Sequence, residues 1–430
     1  MDKLVEEKNQ LRLRRRTALR SILGAGAILV GGSILGTPLN LALQKVYGSV
    51  PSQYTGNDAY QIITQALAAG QTKIYLPAGN YSVSQEIDVS VPNVEIYGNE
   101  QNATILTLNN NVYGGSNNNP LPAHVLNFNT GADGFHLHDL QINGNATGNP
   151  FINATLDYTM DGIHSFNCSN GIIENCIISD CRFMAVQIEH GFNCIVRNNI
   201  LQNSDANGIS INNSANPVIP QGGNHQILNN LVDGASDVGI SCYGAIGTLV
   251  SENTVQNITM HSSPYSDNSH VGLIVEGPAC TNVTFSNNTV RSISIPTNLF
   301  KGNGISVGSH GASNIQFLNN TLENVYIAMR LVGAVTGLTV TGTFVNGTTS
   351  IADNLIVVDN DNQGYVPTGV DIEQNVLQGL ASGMTAYIVD LHGGSGKFIN
   401  NTIYANGNTK TIAVNPKIKT NWVTTPNTIE

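Results

Sequence analysis

Three aspartates that could act as catalytic acids or bases stand directly before predicted strands: Asp161, Asp205 and Asp237. If these strands stack about 4.8 Å apart, Asp205 and Asp237 lie near the ~5 Å spacing of a retaining glycosidase pair. Asp161 and Asp205 then lie near the ~7–9 Å spacing of an inverting pair. Two neighbouring carboxyl groups cannot both ionise easily, so the pKa of one rises above that of the other. The first can then serve as an acid and the second as a base. Ser-Asp before a strand is also ordinary turn chemistry, and both interpretations stay open.

A second group of candidate catalytic residues lies close together in sequence: Arg182, Glu189 and His190. A lyase needs a base and usually Ca²⁺ to hold an acidic uronan, and Arg182 is the basic residue in the right place. Seven of the 18 basic and three of the 29 acidic residues lie within residues 1–20, which leaves a formal charge of −15 for the rest. This charge favours a neutral polysaccharide substrate, or Ca²⁺ bridging along the aspartates.

Alternation within the same strands defines candidate substrate-binding residues. If Ile163, Val186 and their counterparts in later strands point inward, every second residue points outward. The outward positions mix polar, acidic and aromatic groups, which suits a sugar chain as well as a solvated sheet face. The candidate substrate-binding residues are His164, Gln187, Asn212, Tyr243 and Glu276. Extra residues near 212–224, 257–270 and 292–301 predict walls for a groove beside these strands.

A repeat supplies the elements that position these residues. Segments such as IENCIIS, VRNNILQ and FSNNTVR align so that one position is Cys176 once and then Asn. The spacing of about 22 to 33 residues, with short alternating strands, is typical of a solenoid whose Asn side chains form a hydrogen-bonded ladder. The aligned asparagines are Asn199, Asn230, Asn253, Asn288, Asn320, Asn375 and Asn401. We predict an all-β, right-handed parallel β-helix of about twelve coils, capped by a helix from Asn57 to Gly70 with Asn57 as its N-cap.

Composition excludes several other classes of protein. Only 11% of the 430 residues are charged, 41% are hydrophobic and 44 are glycine. A nucleic-acid-binding protein would carry a basic excess, a coiled coil would be rich in Glu, Lys and Leu, and a disordered chain would be less apolar. The chain is therefore a folded, acidic protein with no expected nucleic-acid partner.

The N-terminal segment differs in composition from the rest of the chain. Arg14, Arg15 and Arg16 precede an uncharged, glycine-rich stretch, which is typical of a twin-arginine export signal and also of an uncleaved membrane anchor. We predict that residues 1–48 form this signal or anchor, that residues 49–410 form the β-helix, and that residues 411–430 form a C-terminal tail. The mature protein is then secreted or on the cell surface, and any membrane contact is through this segment.

The six cysteines and several histidines are candidate metal ligands or crosslinks. No CxxC spacing occurs among the cysteines, so a zinc site built on them is disfavoured. In an exported protein, Cys176–Cys181 or Cys168–Cys194 are candidate disulfides, and buried free thiols are the alternative. His136, His138 and His164 are a further candidate metal triad.

Three segments resemble the pectate-lyase-like superfamily of right-handed β-helix proteins: LPAGNYSVSQEIDVSVPNVEIYGN, LHDLQINGN and DGIHSFNCSNGIIENCIISDC. MDGIHSF around Asp161 is similar to the Asn-Thr-Asp-Gly-Ile motif of polygalacturonases. GNGISVGSHG, residues 302–311, is similar to their Gly-His-Gly motif, with Asn303 in place of the His. The resemblance implies a monomeric β-helix that acts on polysaccharide, as a glycoside hydrolase or as a Ca²⁺-dependent lyase or epimerase. A non-catalytic surface or glycan-binding rod is the alternative.

Overall fold

The computed structural model describes residues 56–116, 119–150, 160–213, 222–259, 270–293, 302–348, 354–361, 363–416 and 421–430. The predicted export signal or anchor lies outside these residues, and so does most of the three segments predicted to form groove walls. Within the described part of the chain, no helix has both the length and the apolar character that a membrane span requires.

The described strands wind as a right-handed parallel β-helix with three strands per coil, which confirms the predicted fold class. Face 1 consists of β3 (Ile87–Val89), β8 (Leu126–Phe128), β11 (Ile163–Phe166), β14 (Val186–Glu189), β17 (Ile209–Asn212), β20 (Val238–Tyr243), β23 (Val271–Pro278), β30 (Ile356–Val358), β33 (Val389–Leu391) and β36 (Ile412–Val414). Face 2 consists of β1 (Lys73–Tyr75), β4 (Glu95–Tyr97), β9 (His136–His138), β12 (Ile172–Glu174), β15 (Ile195–Arg197), β18 (Gln226–Leu228), β21 (Leu249–Ser251), β24 (Thr281–Ser286), β31 (Thr368–Glu373), β34 (Gly396–Ile399) and β37 (Trp422–Val423). The long strands β26 (Asn303–Leu318) and β28 (Ile327–Thr341) run through both faces and join them into one sheet.

Face 3 is a separate parallel sheet of thirteen strands within the described residues, one more than the twelve or so coils predicted. Its strands are β2 (Gly79–Val83), β5 (Thr104–Leu108), β10 (Gln141–Asn143), β13 (Ile177–Ser179), β16 (Ile200–Gln202), β19 (Leu231–Asp233), β22 (Thr254–Gln256), β25 (Thr289–Arg291), β27 (Thr321–Val325), β29 (Phe344–Thr348), β32 (Val376–Gln378), β35 (Thr402–Ile403) and β38 (Thr428–Ile429). An antiparallel hairpin of β6 (Tyr113–Ser116) and β7 (Asn119–Pro122) lies between β5 and β8.

The core lies inside the coils, where apolar side chains from successive coils stack in register. On face 1 the in-register column of inward residues is fully buried, as the alternation predicted. Its members are Ile163, Val186, Ile209, Ile240, Leu273 and Ile305. Burying these branched side chains along the whole stack supplies the stability that a single coil lacks.

The predicted asparagine ladder lies at the turn between faces 2 and 3. The Asn199 side-chain amide donates to Asn230 Oδ1 at 3.0 Å, and the Asn230 amide donates to Asn253 Oδ1 at 2.9 Å. The pattern continues through Asn288 to Asn320, and it resumes from Asn375 to Asn401 and to Asn427, which the sequence alignment had missed. Apart from Asn427, which is half-buried, these asparagines are buried, so the ladder satisfies polar groups at a turn that water does not reach.

A different set of asparagines explains why the chain is so rich in this residue. Nineteen of the 26 described non-glycine residues with positive φ are Asn, including Asn198 and Asn229, which directly precede ladder positions. Asn tolerates the left-handed conformation better than most residues do, because its short side chain bonds locally. The Asn-Asn pairs of the repeat therefore combine one residue that turns the backbone with one that extends the ladder.

The one described helix, α1 (Ala59–Ala68), lies at the N-terminal end of the solenoid as predicted. Its buried face carries Ala59, Ile62, Ile63 and Ala66, and it contacts β2 and β3. The N-cap is Asp58 rather than Asn57, because the Asp58 carboxylate accepts the backbone N–H of Tyr60 and also that of Ser84. A carboxylate here also interacts favourably with the helix dipole.

The cysteines and the C-terminal segment differ from some of the sequence expectations. All six cysteines are buried free thiols, so neither candidate disulfide is formed and the thiol alternative is the correct one. The described part of residues 411–430 contributes β36, β37 and β38, which pair with the preceding coil instead of forming a loose tail. Trp422 is buried, and its indole N–H donates to the carbonyl of Gly393.

Candidate functional site

The candidate site lies on face 1, where the outward positions of four neighbouring strands are polar. Asp88 on β3, Asn127 on β8, His164 on β11 and Gln187 on β14 are paired in register across the sheet. A second outward row, two residues further along each strand, begins with Phe166 and Glu189. Parallel pairing thus brings groups that are far apart in sequence to adjacent positions.

His164 is at the centre of a hydrogen-bonded chain that crosses three strands. Its Nδ1 lies 3.0 Å from Asn127 Oδ1, and its Nε2 lies 3.4 Å from Glu189 Oε2. The ring stacks on that of His124 with centroids 4.4 Å apart. Glu189 Oε1 is 3.6 Å from Nε2 of the buried His190. Glu189 therefore lies between two imidazoles, with 21% of its side chain exposed.

The orientation of Asn127 fixes which nitrogen of His164 carries a proton. The Asn127 amide nitrogen donates to Glu86 Oε1 at 2.8 Å and to Asp88 Oδ1 at 2.9 Å. The side-chain oxygen of Asn127 must therefore face His164. Because an amide oxygen can only accept a hydrogen bond, Nδ1 of His164 must carry the proton. In the neutral tautomer of His164 the second nitrogen, Nε2, then carries no proton and faces Glu189 as a hydrogen-bond acceptor.

Asp161 is fully buried beneath this row, and it pairs with His124. Its Oδ1 accepts the backbone N–H of Met184 at 3.0 Å, and its Oδ2 lies 3.2 Å from His124 Nδ1. Burial, with a smaller contribution from Glu189, raises the pKa of Asp161 to about 7, although His164 and the Met184 N–H act in the opposite direction. Burial likewise lowers the pKa of His124. Asp161 therefore keeps its proton up to about neutral pH, with Oδ2 facing His124 Nδ1, which also accepts the backbone N–H of Asp161.

Glu86 extends the cluster on its N-terminal side. Its carboxylate accepts the backbone N–H of His124 at 2.8 Å as well as the Asn127 amide. Burial raises its pKa, although the neighbouring His124 and these hydrogen bonds act in the opposite direction. Four carboxyl groups, those of Glu86, Asp88, Asp161 and Glu189, thus converge on three histidines, and none of the contacts described for them is to lysine or arginine.

The other predicted catalytic residues lie at the corner that precedes face 1. Arg182 Nη1 donates to Asp205 Oδ2 at 2.6 Å, and the guanidinium also donates to the carbonyls of Asn149 and Ala146. These contacts connect three successive coils through one guanidinium group. Asp237 lies one coil beyond Asp205, and its carbonyl accepts the backbone N–H of Val271. The structure therefore groups Asp161, Glu189 and His190 with His164, and it places Arg182 with Asp205.

The predicted substrate-binding residues all lie on face 1, but they differ in exposure. Glu189, Asn212, Tyr243 and Glu276 are paired in one half-buried row. Glu276 accepts the hydroxyl of Ser241 at 2.8 Å, which holds its carboxylate against the sheet. Gln187 is only 6% exposed, so the outward row that it shares with Ser210 and Ser241 is mostly covered. The second row is the one open to a ligand.

Sequence reasoning missed four members of the site: Glu86, Asp88, His124 and Asn127. The outward row could have been extended backwards from His164 if the register of β3 and β8 had been known. The hairpin of β6 and β7 and the residues around it separate β5 from β8, and this insertion hides the period.

The histidines on face 2 form a separate cluster. Glu95, His136 and His138 each offer a ligand atom, and these atoms lie within 4.8 Å of one another. Within the described residues, this is the one group of three or more His, Cys, Asp or Glu side chains close enough to bind a metal ion. The described aspartates that were predicted to bridge Ca²⁺ do not form such a group. His164 lies on face 1, and the predicted triad of His136, His138 and His164 is therefore wrong in its third member.

Comparison with known proteins supports the same fold. A family model described as a right-handed β-helix region matches residues 81–255. The catalytic domain of a GH87 alpha-1,3-glucanase in complex with nigerose has a TM-score of 0.61 at 15% identity, covering 93% of this chain and 70% of that one. The N-terminal fragment of bacteriophage Phi29 gene product 12 gives 0.58 at 15% identity, with 91% and 67% covered. PfbA, a surface adhesin of Streptococcus pneumoniae, gives 0.54 at 15% identity, with 90% of each chain covered.

These likenesses confirm the resemblance to right-handed parallel β-helix proteins that the sequence motifs indicated. At this level of identity they establish the fold alone. No curated protein sequence matches the chain.

Proposed function

We propose that this chain is an exported, monomeric enzyme that hydrolyses glycosidic bonds of a polysaccharide lying along face 1. The observation that carries the proposal is the contact of the partly exposed Glu189 with His164, backed by the buried Asp161. Similar folds occur in a glucanase and in a surface adhesin, which supports an exported carbohydrate-binding protein. Phe166 offers an apolar ring beside Glu189, of the kind that packs on sugar faces.

Two residues of the cluster have proposed roles in hydrolysis. Glu189 donates a proton to the leaving glycosidic oxygen, because it is the partly exposed carboxyl group of the cluster and borders the open row of face 1. Water adds to the sugar carbon as the glycosidic bond breaks, and the proton that this water releases restores the Glu189 carboxyl group, directly or through Nε2 of His164. A general acid of this kind accounts for about 10²- to 10⁴-fold in rate.

The same histidine favours one alternative reaction, which is elimination from a uronan. The unprotonated Nε2 of His164 could abstract a proton from the sugar ring, with Ca²⁺ or a neutral carboxyl group binding the uronate. The formal charge of −15 outside residues 1–20 disfavours this substrate. A non-catalytic glycan-binding rod is the third candidate, and the similarity to an adhesin is its support.

A polysaccharide panel separates these functions. The full chain is incubated with neutral and acidic polymers, with Ca²⁺ or with chelator, and both new reducing ends and ultraviolet absorbance are measured. Hydrolysis gives reducing ends without absorbance, whereas elimination gives both. We expect hydrolysis of a neutral polymer, and we expect Glu189→Gln to lower kcat at least ~100-fold.

Glu373→Gln is the matched control, because Glu373 contacts Lys397 on face 2, away from the candidate site. Its activity should equal that of the wild type. Activity that survives in Glu189→Gln would overturn the assignment of the acid. Glycan binding without product from any polymer would favour the rod.

A further inference from the structure

We propose that face 2 holds a Zn²⁺ site formed by Glu95, His136 and His138, a site independent of the proposed hydrolytic function. The two histidines occupy alternate, outward positions of β9, and Glu95 is the in-register partner of His136 on β4. One ligand atom from each residue lies within 4.8 Å of the other two, a separation that a bound cation can close. Imidazole and carboxylate are ligands that Zn²⁺ takes readily at about 2.0–2.2 Å.

The surroundings of the two histidines resemble the outer shell of a metal site. Asp139 Oδ2 lies 2.8 Å from Nδ1 of His138, whose Nε2 faces Glu95 Oε1 at 3.3 Å. Glu174 Oε1 lies 2.9 Å from Nε2 of His136. Each imidazole thus has one nitrogen held by a carboxylate, so the metal takes His138 through Nε2 and His136 through Nδ1. Carboxylate partners of this kind orient metal-binding histidines and raise their basicity.

The carboxylates of the cluster are held in place by two cations. Lys73 Nζ lies 2.7 Å from Glu95 Oε2, which leaves Oε1 to face the histidines. Arg197 Nε lies 2.7 Å from Glu174 Oε2 in the same way. The cluster contains three carboxylates and two cationic side chains, so its net charge is −1 and favours a divalent cation. The carboxylates are those of Glu95, Asp139 and Glu174, and the cations are Lys73 and Arg197.

Packing and exposure also suit a bound metal. The ring of Tyr97 stacks on His138 with centroids 5.1 Å apart and an angle of 8°, which fixes the imidazole plane. The side chains of Glu95 and His136 are 26% and 30% exposed, so an ion can enter directly from solvent. Three protein ligands leave a fourth position for water or for an added ligand.

The test is a calorimetric titration in which ZnCl₂ is added to the full chain after chelator has removed bound metal. We expect one Zn²⁺ per chain with a dissociation constant in the micromolar range or below. His136→Gln and His138→Gln should each weaken binding at least ~100-fold, and Asp139→Asn should weaken it about 10- to 100-fold because it only orients His138. Co²⁺ in place of Zn²⁺ should give the visible absorption of a low-coordinate histidine site, and His138→Gln should remove it.

His392→Gln is the matched control, because His392 is another exposed histidine near a carboxylate, Asp390, at 3.9 Å. Its Zn²⁺ affinity should equal that of the wild type, and circular dichroism checks that every variant is folded. If a variant of one histidine fails to fold, the other histidine and Glu95→Gln still test the site. Absence of 1:1 binding, or binding that survives both histidine variants, would overturn the proposal and leave the cluster as an ion-pair network.

Discussion

At the residue scale, Asp161 shows how the solenoid changes the chemistry of a common side chain. Its carboxyl group is fully buried between the backbone N–H of Met184 and the ring of His124. Burial raises its pKa from 3.8 to about 7. A carboxyl group with this pKa holds a proton near neutral pH, which is useful for acid catalysis but costs folding free energy when the group ionises.

We predict that Asp161→Asn becomes more stable relative to wild type as the pH rises from about 4 to about 7. In the wild type, the pKa of Asp161 is higher in the folded state than in the unfolded chain, so the folded protein binds this proton more tightly. The stability of the wild type therefore falls between about pH 4 and about pH 7, and this contribution is constant at higher pH. The difference approaches about 4 kcal/mol as an upper limit. Asn keeps the geometry, since its oxygen accepts from Met184 and its amide can donate to His124 Nδ1. Thermal denaturation between pH 4 and 8 measures the effect.

Asp161→Ala is the control for this prediction. It leaves the buried N–H of Met184 without its acceptor, so it should be destabilised by about 1–3 kcal/mol relative to Asp161→Asn at every pH. A stability difference between Asp161→Asn and wild type that does not vary with pH would show that Asp161 titrates in its ordinary range.

The sequence predicted part of the candidate site, for reasons that are clear at individual residues. His164 and Glu189 could be placed on one face because the alternation of β11 and β14 is regular, whereas His190 lies just after β14 at φ 55°. Asp205 could not be excluded, because its partner Arg182 reaches it from the preceding coil, and a contact between side chains leaves no periodic signal. His124 and Asn127 were missed because an insertion interrupts the period before β8.

At the element scale, the turn between faces 2 and 3 shows why the fold was more predictable than the site. Between Asn199 and Asn427 the ladder repeats the same residue type with one interruption, at Thr343, so a single chain displays it many times. Asn230 is typical of it. Its Oδ1 accepts the backbone and side-chain amides of Asn199, and its own amide donates to Val196 O and to Asn253 Oδ1. The preceding Asn229, at φ 54°, turns the chain, and its amide donates to Asn198 Oδ1 in an exposed contact.

We predict that Asn230→Ala destabilises the protein by about 2–4 kcal/mol, because it leaves the buried N–H of Asn199 and the carbonyl of Val196 without partners. Chemical denaturation followed by circular dichroism measures the loss. Asn229→Gly is the adjacent control, and its effect should be within about 0.5 kcal/mol, since glycine adopts positive φ without strain. Equal losses in the two variants would contradict the separation of turn and ladder roles.

The N-terminal cap shows the limit of reading an element from its residue types. The apolar face of α1 was predicted correctly, but Asn57 and Asp58 are both good N-cap residues. The choice depends on Ser84, which follows β2 and whose backbone N–H and hydroxyl both donate to the Asp58 carboxylate. A tertiary contact, which has no local sequence signal, decides the boundary of the helix.

At the scale of the whole molecule, charge is the property that bears most directly on substrate choice. The chain carries −11 overall and −15 outside residues 1–20, and the described site carries four carboxyl groups. An acidic polymer approaching face 1 meets repulsion that reaches about 10 Å at 0.1 M salt. A neutral polymer meets none.

We therefore predict that the two kinds of polysaccharide respond differently to salt. Affinity for a neutral oligosaccharide substrate should change by less than about twofold between 50 and 500 mM NaCl, because its recognition rests on hydrogen bonds and ring packing. Polyuronate oligomers without Ca²⁺ should bind weakly at 50 mM and more tightly as salt screens the repulsion. Calorimetry or affinity electrophoresis of the full chain measures both. Tight uronate binding at low salt that weakens as salt is added would mean that a cationic subsite dominates recognition, and it would favour elimination over hydrolysis.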